Sequence, residues 1–66
     1  MTIGEKIREI RTQRGLTQAE FADKIASSQT LVSLWEKGMC QPSLKNLRAI
    51  SEEFKISVKD LTKCLR

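Results

Sequence analysis

The chain has 66 residues, enough for one domain whose folding hides only about 60% of the surface that its unfolded form exposes. Twelve Lys and Arg against eight Asp and Glu leave a net charge of +4 and a pI near 9.4, the balance of a protein that meets anions. There is no His, which excludes Ser-His and Cys-His nucleophile pairs and every imidazole metal site.

The order of residues predicts five short helices and no strand. Thr2-Ile3-Gly4-Glu5 has the form of a capping box, and Ile3, Ile7 and Ile10 then recur on one face. Gly15 closes this first helix as a left-handed cap. Thr17-Gln18-Ala19-Glu20 is a second box, opening a helix with Phe21, Ala22 and Ile25 on its inner face. After Ala26-Ser27-Ser28 a third helix runs from Gln29 to about Lys37, with Ser28 as its N-cap and Gly38 closing it. Met39-Cys40-Gln41-Pro42 is a loop. Pro42-Ser43 starts a fourth helix with Leu44, Leu47, Ile50 and Phe54 inward, and Ser57 opens a fifth carrying Val58, Leu61 and Leu65.

Helices two and three carry the most information. A helix, a short turn and a second helix at a steep angle make a helix-turn-helix, which imposes its own spacing. Counting from Gln18, a small residue belongs four positions on (Ala22) and a turn residue eight on (Ala26). Apolar anchors belong fourteen and seventeen on, at Val32 and Trp35. Each feature alone is common; the set is fairly specific.

Charge falls on the same region. Residues 1–23 are neutral overall, whereas 24–48 set Lys24, Lys37, Lys45 and Arg48 against Glu36 alone. Such a patch suits phosphates, although a solvated basic surface looks the same by charge. Cys40 and Cys64 are too few for a disulfide scaffold and lack the further ligands of a zinc site, so both read as inert thiols. The three glycines are too far apart to cradle a phosphate, and no apolar run spans a bilayer or serves as a signal peptide. The expectation is a soluble, non-enzymatic binding protein of a reducing compartment, with no cofactor.

From Ile3 to Leu61 the sequence resembles the Cro and phage-repressor type of helix-turn-helix family, also called the XRE family. The resemblance rests on Gly15-Leu16-Thr17-Gln18-Ala19-Glu20-Phe21-Ala22, Val32-Ser33-Leu34-Trp35-Glu36-Lys37-Gly38, Pro42-Ser43-Leu44 and Ile56-Ser57-Val58-Lys59-Asp60-Leu61. Two positions depart from the family: Ala26 and Lys55 stand where Gly is usual, and a left-handed Ala26 carries strain of about 1 kcal/mol.

The resemblance implies an all-α domain spanning 1–66 that acts as a sequence-specific double-stranded DNA-binding transcriptional regulator. It implies a cytoplasmic homodimer on a near-palindromic operator, of bacterial or phage origin, with no small-molecule ligand. On the outer face of helix three, Gln29 suits an adenine, Thr30 and Ser33 suit either partner of a pair, and Leu34 suits a thymine methyl. Phosphate contacts are expected from Gln18, Lys37, Gln41, Ser43 and Lys45. Glu36 opposes the dipole of its own helix, and by the family pattern it pairs with Arg11. Ile56, Val58 and Leu65 exceed the needs of one small core and point to the dimer surface. The alternative is a protein-interaction module, such as an antitoxin, built on the same helices.

Overall fold

The computed structural model describes residues 1–64, so Leu65 lies outside the described residues. Five helices follow in order: α1 (Ile3–Gln13), α2 (Gln18–Lys24), α3 (Gln29–Lys37), α4 (Leu44–Phe54) and α5 (Val58–Thr62). No strand occurs among the described residues, and none of the helices is long and apolar enough to cross a membrane.

Local chemistry explains where each helix begins. Thr2 and Thr17 accept from the amides of Glu5 and Glu20, whose carboxylates reach back to the cap amides, completing both capping boxes. Ser28, Ser43 and Ser57 cap the other three through their hydroxyls. The first turns of α3 and α4 contain no acid, which leaves their positive dipole ends uncompensated.

The first four helices end alike, each in a left-handed residue: Gly15 (φ 66°), Ala26 (55°), Gly38 (77°) and Lys55 (58°). After each, the next amide bonds back to the last turn: Leu16 N to Arg11 O, Ser27 N to Ala22 O, Met39 N to Leu34 O and Ile56 N to Ser51 O. This is the Schellman closure, which satisfies helix-end carbonyls and reverses the chain within two residues. Ala26 is thus left-handed, the state in which its strain of about 1 kcal/mol applies. Arg14 covers a further orphan, donating to Phe54 O at 3.1 Å while its guanidinium lies over the Phe54 ring.

Ile3, Ile7 and Ile10 of α1, Phe21, Ala22 and Ile25 around α2, Val32 and Trp35 of α3, Leu47, Ile50 and Phe54 of α4 and Leu61 of α5 form one core. Phe21 and Phe54 stack within it, their ring centroids 4.9 Å apart. Two expectations need correction. Leu44 does not face inward but is 51% exposed, because it stands about 90° around the helix from the centre of the other three. Ile25 is buried as expected, but as the C-cap of α2 rather than within it.

Candidate nucleic-acid interface

The two anchors decide which way α3 faces. Val32 is fully buried and Trp35 is 1% exposed, so the opposite face of the helix turns to solvent. Gln29 and Thr30 are exposed in its first turn, and Ser33 and Leu34 follow half-buried on the next. Leu34 therefore differs from the exposed leucine that the sequence suggests; the exposed apolar residue of α3 is Leu31, at 39%. A helix bound to the core by one side and polar along the first turn of the other can enter a groove without unfolding.

An ion-pair cluster fixes the helix from behind. Arg11 Nε donates to Glu36 Oε2 at 2.7 Å and its Nη2 donates to Oε1 at 3.0 Å, a bidentate pair between α1 and α3. The two side chains keep only 15% and 7% of their surface exposed. Arg11 Nη1 also donates to Leu16 O at 3.0 Å, and Gln18 Nε2 donates to Glu36 Oε1 at 3.2 Å. The hydrogen bond to Glu36 raises the Arg11 pKa; desolvation opposes this and the charge of Glu36 adds to it. Arg11 and Glu36 thus pair as the family pattern implies, with Gln18 as an unforeseen third member.

Four of the five candidate phosphate contacts lie between the last residue of α3 and the first turn of α4. Lys37, Gln41, Ser43 and Lys45 are exposed around the α3–α4 turn, which the buried Pro42 carries into α4. Ser43 Oγ accepts from Asn46 N and Asn46 Nδ2, which leaves its own hydrogen available to an anion. Gln18 stands differently. One amide hydrogen is committed to Glu36, one remains, and the α2 N-terminus beside it already holds the Glu20 carboxylate. Ile56 and Val58 are half-buried, with Ile56 packed against the core.

Sequence reasoning missed one positioning residue. Gly4 is buried in α1, and a Cβ there would collide with the backbone of Trp35 and Glu36. Its signal was a glycine inside an otherwise regular helical stripe, a position where glycine costs helix stability unless another backbone comes close.

The sequence model of the helix-turn-helix family matches residues 7–61. The HTH-type transcriptional activator BcrR of Enterococcus faecalis is 34% identical over 61 residues, which cover 92% of this chain and 30% of that protein. The immunity repressor protein of Bacillus phage phi105 is 36% identical over 58 residues, 88% of this chain and 40% of its own length. The chain thus spans less than half the length of these relatives. Among solved structures, the P22 c2 repressor protein, in complex with a synthetic operator, superposes with a TM-score of 0.88 at 30% identity, covering 97% of both chains. Agreement in sequence and in backbone over the same helices makes this chain a member of the Cro and phage-repressor type of helix-turn-helix family.

Proposed function

We propose that the chain binds double-stranded DNA sequence-specifically as a transcriptional regulator, with α3 in the major groove. The observation that carries this reading is the solvent-facing surface of α3, held by Val32, Trp35 and Glu36, in a backbone similar to a repressor solved with operator DNA. Gln29 and Thr30 contact base edges from the first turn, and Ser33 and Leu34 contact the next base pairs. Lys37, Gln41, Ser43 and Lys45 hold phosphates on one flank, and the free hydrogen of the Gln18 amide holds one on the other.

Two copies read a near-palindromic operator. The domain measures 25 × 24 × 21 Å, so two fit side by side on a duplex whose successive major grooves lie about 34 Å apart. Ile56 and Val58, with Leu65, supply the apolar part of a small, reversible interface.

Selection of bound sequences from a random duplex pool tests the reading directly. Enrichment of a two-fold symmetric site is the expected result, and recovery of no preferred sequence rejects it. On the enriched duplex, Lys37→Ala and Lys45→Ala should each lower the salt slope by about one unit. Sedimentation of the complex should show two chains per site; a single chain defeats the two-fold arrangement.

A further inference from the structure

Two thiols share one cleft. Cys40, in the α3–α4 loop, and Cys64, beyond the end of α5, are both half-buried and packed against the edge of the core. Both line a cleft of about 340 Å³ together with Ile3, Trp35, Lys37 and Gln41. Cys64 Sγ donates to Asp60 O at 3.6 Å, and no disulfide joins the two. Residues 24 apart in the sequence are thus brought to the walls of one opening, one of them beside the candidate phosphate contacts.

We propose that Cys40 and Cys64 are a peroxide-sensitive pair that forms an intramolecular disulfide and thereby weakens DNA binding; the second half rests on the DNA reading above. The chemistry needs hydrogen peroxide as the oxidant. The Cys40 sulfur attacks one peroxide oxygen, the O–O bond breaks, and hydroxide leaves to take a proton as water. Cys40 is then a sulfenic acid. The Cys64 sulfur attacks it, the S–O bond breaks, and a second water departs as the S–S bond forms. Two electrons pass from the two sulfurs to the peroxide, and both thiol protons end in water.

Neither cysteine lies within a helix, so the walls can approach without unwinding one. A disulfide holds its Cα atoms about 4.4–6.8 Å apart, so the bridge ties the α3–α4 loop to the end of α5. That loop carries Gln41 and leads into Ser43 and Lys45, so any shift the bridge imposes there moves several phosphate contacts together. The bridge also closes a loop in the unfolded chain, so the oxidised protein should melt at a higher temperature.

The test treats the reduced protein with hydrogen peroxide, alkylates the remaining thiols, and measures intact mass, melting temperature and affinity for the pool-selected duplex. A monomer lighter by two hydrogens, with a Cys40–Cys64 peptide in the digest, is expected. Its affinity should fall by about tenfold or more and return on reduction with dithiothreitol. Cys40→Ser and Cys64→Ser should keep their affinity under the same treatment. Two alkylated thiols after peroxide, or only oxyacids and disulfide-linked dimers, overturn the pairing. A bridged monomer with unchanged affinity overturns the switch. Reduced protein that binds no duplex sinks the DNA reading and the switch with it, while the mass of the oxidised protein still decides the pairing.

Discussion

Gly4 lies against the carbonyl of Trp35 with no room for a Cβ between α1 and α3. The contact sets how far α3 sits from α1, since backbone meets backbone and neither can rotate away. Gly4→Ala should cost ~1–3 kcal/mol as the overpacked helices shift, despite the higher helix propensity of alanine. Thermal denaturation checks this; an unchanged or raised Tm would mean the two helices are not in contact in solution.

Arg11 and Glu36 supply the second constraint on α3. Arg11→Met keeps the apolar stem and removes the cation, leaving a largely buried carboxylate with Gln18 as its remaining partner. The expected loss is about 2–4 kcal/mol, above the range of an exposed pair. Adding Glu36→Gln should restore part of it, because the stranded charge is then gone. If denaturant unfolding gives strictly additive losses for the two changes, the pair is not coupled.

Ala26 occupies the left-handed position that two other helix ends fill with glycine. Ala26→Gly should raise stability by ~0.5–1 kcal/mol, because relief of the strain exceeds the added freedom of the unfolded chain. A fall in Tm would show that the Ala26 methyl makes a contact worth more than the strain.

Next to it, Ser27 buries its hydroxyl without a hydrogen-bond partner among the described residues. A polar atom in that state costs about 1–3 kcal/mol, so Ser27→Ala should be neutral or stabilising although it deletes an atom. Destabilisation beyond 0.5 kcal/mol in urea, roughly the limit for an innocuous surface change, would point to a water or backbone partner for Oγ.

On the DNA side, Gln29→Ala should cost ~1–3 kcal/mol on the selected duplex and relax preference at one base pair. For Leu34, replacing each operator thymine by uracil removes only the C5-methyl. Affinity should fall at one position per half-site for the parent protein and not for Leu34→Ala. Normal binding of every uracil duplex rejects methyl reading by this side chain.

The fold was legible because its signals are local. Caps at Thr2, Thr17, Ser28 and Ser43 and stops at Gly15 and Gly38 can be read within a few residues, and the five helices follow them closely. The Arg11–Glu36 pair was legible only through the family pattern, since 25 residues separate its members. What stayed hidden depends on distances between helices. The Gly4 contact, the Gln18 amide on Glu36 and the shared cleft of Cys40 and Cys64 leave no periodic trace. Leu44 misled because its spacing from Leu47 fits an inward stripe, while its angle places it on the rim.

Trp35 is the sole tryptophan in a chain without tyrosine, and it is 1% exposed on the inner side of α3. Its fluorescence therefore reports on one helix. Emission shifts to longer wavelength when α3 leaves the core, whereas a duplex bound on the outer face, as proposed above, would not touch the ring. Fluorescence can therefore follow detachment of α3 separately from occupancy of its outer face. The protein thus carries an internal optical probe, and each variant above can be measured without attaching a dye.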